Sequence, residues 1–250
     1  MHIITRNFFR LLRAGVFGQQ DKVEPMSVWK WNRLFLLATL HGVEAEAYEG
    51  LEVLSDQFFV QIIPSEQRSQ WAAMAVDARH SRPAPEKGEA ASVEEALAEG
   101  MQRLSQALLT DHFWVGELLA LGEQIREKSS AVHRDQLKKL ISKIHLRKMS
   151  QLEGALLVQL MGLQPEELPF DIRKDTKAME PLVDAIATAI PRGQLQLKFT
   201  QGNHIFVSAN NTSGVKQHLR RSVRFMPFCP KDSILNIYTT FARSLTNIEE

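Results

Sequence analysis

Two rows of basic residues have the types and the spacing best suited to binding chemistry. The first row recurs every fourth residue, at Lys139, Lys143 and Arg147. Side chains four residues apart share one face of a helix, so we expect this row to point outward, opposite an apolar face. A second row repeats the spacing. The candidate surface comprises Lys138, Lys139, Lys143, Arg147 and Lys148 in the first row, and Lys216, Arg220, Arg221 and Arg224 in the second.

Such rows can follow a phosphate backbone, because each neutralised phosphate releases counterions. No aromatic residue alternates with these cations, so base stacking is not expected from the rows themselves. The alternative is a solvated helix face paired with acidic neighbours such as residues 94–99. The sequence favours the solvated face over nucleic acid, and it leaves a protein partner open.

Residues that hold metals or activate nucleophiles form no recognisable motif. No aspartate is followed two residues later by a second acid, and no two histidines have the spacing of a metal site. A P-loop and a dinucleotide-binding glycine motif are also missing. We therefore predict no catalytic residue, no metal site and no cofactor. Whether the protein is an enzyme stays open, with a non-enzyme favoured.

The composition limits the classes of protein to which this chain can belong. The 250 residues include 30 Lys and Arg against 29 Asp and Glu, so the whole chain has no net attraction to nucleic acid or anionic membrane. The single Cys229 excludes an internal disulfide and is typical of a reducing compartment. No apolar run approaches the roughly 20 residues of a membrane span. We expect a soluble, cytoplasmic protein without a transmembrane segment.

The first eighteen residues fit two interpretations. They carry Arg6, Arg10 and Arg13, an apolar stripe and no acid, which is the composition of a mitochondrial presequence. The same pattern predicts a helix that packs on the core and ends at Gly18. The second interpretation is favoured, because nothing before Gln19 resembles a cleavage site.

Helical periodicity dominates the rest of the chain. The densest apolar block, residues 28–51, predicts two abutting helices separated at Gly42, which form the seed of the core. Capping boxes at 92–95 and 150–153 predict two helix starts, and Gly162 predicts a stop. Short turns between the helices indicate a bundle.

Alternating apolar residues predict a β-hairpin from 195–199 and 205–209. The run 58–63 is compatible with a short buried strand or with a helix. We therefore expect a mostly helical α+β fold. Its helical bundle body covers 1–162, and a smaller C-terminal part with the hairpin covers 163–250; a single domain is the alternative.

The N-terminal segments resemble an uncharacterised bacterial nucleotidyltransferase-like family. The resemblance rests on Phe8–Gly15, Trp29–Leu37, His41–Val43, Tyr48 and Leu51, about a fifth of the chain. It implies helices that precede a mixed sheet, where a Lys-Gly element and paired aspartates hold metal and a nucleoside triphosphate. Those catalytic elements are not recognisable in this sequence.

The resemblance and the missing carboxylate pair favour a non-catalytic binding or scaffolding protein of unknown ligand. The first alternative is an active, metal-dependent nucleotidyltransferase whose acids come from separate segments, such as Asp171, Asp175 and Asp184. The second alternative is a phosphate- or nucleic-acid-binding module that uses the basic helix faces.

Overall fold

The computed structural model describes residues 1–81, 92–110, 114–172, 182–183 and 219–246, and every regular element within them is helical. The predicted α+β class is therefore wrong, since the described residues form an all-helical fold. The predicted hairpin at 195–199 and 205–209 lies outside the described residues. The helices are α1 (Ile3–Phe17), α2 (Val28–Leu40), α3 (Glu44–Val53), α4 (Phe58–Gln61), α5 (Ser65–Ser81), α6 (Val93–Thr110), α7 (Val115–Lys128), α8 (Arg134–Lys143), α9 (Arg147–Leu156) and α10 (Pro230–Thr246).

The run 58–63, for which the sequence leaves a strand and a helix open, begins with helix α4 in the structure. Val60 and Ile63 are buried, whereas Phe58 and Ile62 are exposed. Burial thus follows the three-residue spacing of a helical turn and not the alternation of a strand. A run this short carries too few residues for the sequence to separate the two periods.

Helix α1 confirms the prediction of a core helix that ends at Gly18. Phe8, Phe9 and Leu11 are completely buried. Gly18 adopts the left-handed conformation at φ 66°, and its N–H donates to the carbonyl of Ala14. Glycine suits this position because a side chain is strained at positive φ.

Helix α1 packs against α3 at backbone distance. A Cβ atom added to Gly50 would lie 1.9 Å from the carbonyl oxygen of Leu11, and one added to Gly15 would lie 2.2 Å from that of Glu46. The two glycines therefore let the helix axes approach more closely than any side chain allows. This contact joins the N-terminal helix to the predicted core seed.

The arginines of α1 bind the segment that follows the helix. Arg6 and Arg10 both donate to Glu24, with Arg10 Nη1 2.6 Å from Glu24 Oε1. Arg13 Nε donates to Asp21 Oδ2 at 2.7 Å. The presequence-like cations thus hold the chain between α1 and α2 against the body.

The predicted core seed is confirmed. Gly42 separates α2 from α3 at φ 63°, and α3 begins at Glu44. Trp31 on α2 is 1% exposed, and the ring of Phe35 stacks on Trp71 of α5 with centroids 3.9 Å apart. Burial of these large aromatic surfaces stabilises the packing of α2 on α5.

One of the two predicted capping boxes is present. Ser92 and Glu95 exchange reciprocal hydrogen bonds of 3.2 and 3.0 Å at the start of α6. The box predicted at 150–153 is wrong, because α9 begins earlier, at Arg147, and Glu153 is fully buried. Tertiary burial therefore overrides the local capping pattern.

The helical path after α9 ends at Gly162, as predicted. Residues Leu157–Met161 continue α9 as a π-helical turn, and Gly162 follows in the left-handed conformation at φ 72°. Arg13 donates to the carbonyl of Leu160, which ties α1 to this end of the bundle. None of the described helices has the length and apolar character to cross a membrane. The domain boundary at 163 stays a prediction.

Candidate anion-binding surface

The first basic row lies on two helices. Lys138, Lys139 and Lys143 belong to α8, whereas Arg147 and Lys148 form the first turn of α9. All five side chains are exposed. The outward direction of these side chains is confirmed. The prediction placed them on one continuous helix, whereas the structure divides them between α8 and α9. We call these five residues the basic surface.

Helix α8 ends in a Schellman motif, which separates it from α9. The N–H of Leu146 donates to the carbonyl of Ile141 at 3.0 Å, and that of His145 donates to Ser142 at 3.2 Å. Leu146 and Ile141 are both buried, which supplies the hydrophobic contact typical of this motif. His145 takes the left-handed position at φ 60°, where glycine is the usual residue. Because histidine does not mark a helix end in a sequence, the break was not predicted.

The second row is only partly described. Lys216 lies outside the described residues, and Arg220 and Arg224 are exposed around the helical segment 219–225. Arg221 is only 8% exposed, so it does not belong to an outward row. This burial corrects the expectation that Arg221 adds to the surface charge.

The cations of the basic surface form no ion pair with any residue that the structure describes. Two of the acids proposed as their partners have other contacts. Glu94 accepts a hydrogen bond from the backbone N–H of His133 at 2.7 Å, and Glu95 caps α6 through Ser92. The positive charge of the basic surface is therefore available to a ligand.

Three adjoining grooves run along this surface. The first, of about 930 Å³, lies between the α8–α9 turn and the start of α10. The second, of about 490 Å³, lies between α9 and residues 165–172, and the third, of about 570 Å³, follows α8. Lys143 lines the first and third grooves, Lys138 the second and third, and Arg147 the first and second. Because they share these cations, the three grooves lie side by side along the basic surface. We call the three grooves together the track.

Positive charge dominates the track. His145, at the left-handed turn, also lines the first groove, beside the start of α10. Cations with so few acidic neighbours attract anions that carry several charges. The charged residues that line the three grooves are Arg134, Lys138, Lys139, Lys143, Arg147, Lys148 and Lys231 on the basic side, and Asp135, Asp171 and Asp232 on the acidic side.

The second groove contains groups that the sequence did not point to. Phe170 is half-buried and lines this groove, as does Gln151 of α9. A Cβ added to Gly154 would lie 2.9 Å from Cε2 of Phe170, so the ring rests directly on the backbone of α9. The contact joins residues sixteen apart along the chain, and no local pattern announces it.

A buried polar cluster lies between α6, α9 and α10. Ser105 donates to Glu153 Oε1 at 2.8 Å, while Oε2 of Glu153 has no hydrogen-bond partner among the described residues. Burial raises the pKa of Glu153 to about 8 and that of nearby Cys229 to about 11. Both groups are therefore held neutral at pH 7.

The described residues hold no group of three His, Cys, Asp or Glu side chains placed to bind a metal ion. Of the three aspartates considered for a nucleotidyltransferase site, Asp171 is exposed and lines the second groove. Asp175 and Asp184 lie outside the described residues. The metal-dependent alternative therefore stays a prediction.

Comparison with known proteins does not identify a family for this chain. No family model matches the chain, and neither a curated protein nor a solved structure matches it significantly. The resemblance to nucleotidyltransferase-like proteins accordingly stays a prediction from the N-terminal residues.

Proposed function

We propose that this protein is a binding module without catalytic activity that contacts the phosphate backbone of a nucleic acid through the basic surface of α8 and α9. The observation that carries the proposal is a set of exposed cations that form no ion pair with the described residues and that line three neighbouring grooves. The α8–α9 turn supports it, since the two hydrogen bonds of the Schellman motif define the main-chain path from the end of α8 toward Arg147.

The grooves favour an extended polyanion over a single small anion. Lys143, Lys138 and Arg147 each stand between two grooves, so successive charges of one ligand can meet successive cations. Lys139 and Lys143 are four residues apart on α8, which spaces them by about 6 Å along its axis. Electrostatic binding of this kind depends steeply on salt and little on base sequence.

The test is a titration of fluorescently labelled single- and double-stranded oligonucleotides, at low and at physiological salt. We expect binding at low salt, with log K falling against log[salt] at a slope of about −2 to −3.5 for a single strand that contacts three to five phosphates. The variant K139E/K143E/R147E should weaken binding about a hundredfold or more while its circular dichroism spectrum is unchanged.

The matched control is K22E/K30E/K128E, which changes the net charge by the same amount. None of these lysines lines the three grooves, and Lys128 ends α7 as Lys143 ends α8. The control should retain most of the affinity. Equal losses in both variants would show that overall charge, not this surface, attracts the ligand; no binding by the wild type at low salt would refute the proposal.

A further inference from the structure

We infer that the second groove is a nucleobase subsite, so that the ligand is a nucleotide unit with an accessible base and not any polyanion. The inference rests on the proposed function, because Arg147 and Lys138 at the edge of this groove would hold the adjoining phosphates. The shared chemistry is a base linked to a phosphate, which either a single strand or a free nucleotide supplies.

The aromatic surface of the subsite is Phe170. Its ring lies on Gly154, where no side chain intervenes, and Pro169 and Leu168 beside it are buried. The ring is thus fixed on one side by the protein and lines the groove with the remainder. A fixed, partly exposed ring is the element on which a base stacks at little entropic cost.

The groove also offers groups that recognise the edge of a base. Gln151 lines it, is half-buried, and makes no side-chain hydrogen bond with the described residues. A carboxamide supplies one donor and one acceptor side by side, which is the pattern that pairs with a base edge. Asp171 lines the same groove and accepts hydrogen bonds from the amino group of a base, whereas it repels phosphate.

Charge therefore differs between the grooves. The first groove is lined by Lys143, Arg147, Lys148 and Lys231 with one acid, Asp232. Among the described residues, the second combines three cations with an aromatic ring, an amide and the two carboxylates of Asp135 and Asp171. This division matches a ligand whose phosphates follow the basic surface while one base turns into the second groove. Its volume of about 490 Å³ is within the range of small-molecule sites.

The experiment compares ten-nucleotide single strands that are intact or abasic, at one low salt concentration, with the wild type, Phe170→Leu and Gln151→Ala. We expect the wild type to bind an intact strand about tenfold more tightly than the abasic strand. Phe170→Leu, which keeps an apolar side chain against Gly154, should remove most of that preference and leave the affinity for the abasic strand unchanged. Gln151→Ala should reduce the preference for one base among oligo-dA, dC, dG and dT.

The control is Phe59→Leu, since Phe59 is also half-buried against the core but lies outside the grooves. It should keep the wild-type preference. Competition by the four nucleoside monophosphates distinguishes the sources: competition that depends on Phe170 identifies a free nucleotide as ligand, and its absence identifies a strand. Equal affinities of the wild type for intact and abasic strands would overturn the base subsite and leave the proposed function standing. Failure of both strands to bind would overturn both.

Discussion

Helix α1 and the α8–α9 pair both carry basic residues at helical spacing, but the two sets of cations have different surroundings. Arg10 and Arg13 of α1 reach acids on the segment that follows, at 2.6 and 2.7 Å. Lys139 and Lys143 of α8 form no ion pair within the part of the chain that the structure describes, although Asp135 lines the same groove. Each region has two cations four residues apart on one helix, Arg6 and Arg10 on α1 and Lys139 and Lys143 on α8, but the counter-charges that pair with them differ.

The difference separates cations that stabilise the fold from cations that are free to bind. Hydrogen bonds from Arg6 and Arg10 lower the pKa of Glu24 to about 2, so this acid stays charged under all ordinary conditions. The α1 cations are thus neutralised within the protein. The cations of the basic surface are exposed and form no ion pair with the described residues, which gives them little part in stability.

The largest effect on stability is expected when the close contact between α1 and α3 is disrupted. Gly50→Ala places a Cβ 1.9 Å from the carbonyl oxygen of Leu11, and backbone atoms on both helices prevent local relief. We expect the free energy of unfolding to fall by about 3–5 kcal/mol in urea denaturation. Gly100→Ala is the control, because its Cβ would meet side-chain atoms of Gln124 and Leu121 at 3.0 and 3.2 Å. It should change stability by less than about 1 kcal/mol; a similar loss in both variants would contradict the close packing of α1.

A smaller effect tests Glu153, a buried acid of the same helix, α9, that carries Arg147 and Lys148. Its pKa is raised to about 8 by burial, against an ordinary value of 4.5. An acid whose folded-state pKa is raised stabilises the protein fully below pH 4.5, and this contribution is lost as the pH rises toward 8. Glu153→Gln removes the titration and keeps a group that accepts from Ser105. The variant should exceed the wild type in stability by a few kcal/mol at pH 8 and by much less at pH 5.

The measurement is urea denaturation at pH 5 and pH 8 for wild type, Glu153→Gln and Glu99→Gln. Glu99 is exposed on α6 and serves as the control. It should leave the pH dependence of stability unchanged. A difference between Glu153→Gln and wild type that stays constant with pH would show that the carboxyl does not titrate in this interval.

The smallest effect on stability comes from comparing one cation of α1 with one cation of α8. Arg10→Gln removes a charge-assisted hydrogen bond to Glu24 and should lower the free energy of unfolding by about 1–2 kcal/mol. Lys139→Gln removes an exposed cation that forms no ion pair with the described residues, and it should change the free energy of unfolding by less than about 0.5 kcal/mol. Both are measured by thermal and urea denaturation at low salt. A destabilised Lys139→Gln would mean that the basic surface is part of the structural framework.

Glycines and one of the two predicted capping boxes identified helix ends correctly. Gly18 and Gly162 end α1 and the continuation of α9, and Ser92 caps α6 as expected. The break between Lys143 and Arg147 was missed, because the burial of Leu146 against Ile141 holds His145 in a conformation that its residue type disfavours. Long-range packing, and not local propensity, decides that turn.

The candidate site was predictable in its cations and not in its shape. Lys139, Lys143 and Arg147 were identified from spacing alone, since outward charge follows helical periodicity. Phe170 and Gln151 were not, because they become neighbours only when residues 165–172 pack on α9 at Gly154. The burial of Arg221 was likewise invisible, because an arginine in a basic row gives no sign of its tertiary partners.

The thiol of Cys229 can report local opening of the protein. This residue is the chain's single cysteine, is 2% exposed, and lines the first groove where α10 begins. Because the side chain is almost completely buried, we expect thiol labelling under native conditions to depend on local opening around the start of α10. When labelling is slow compared with reclosing, its rate reports the local opening equilibrium, and a molecule bound in the first groove would lower the rate toward that of the protein left free.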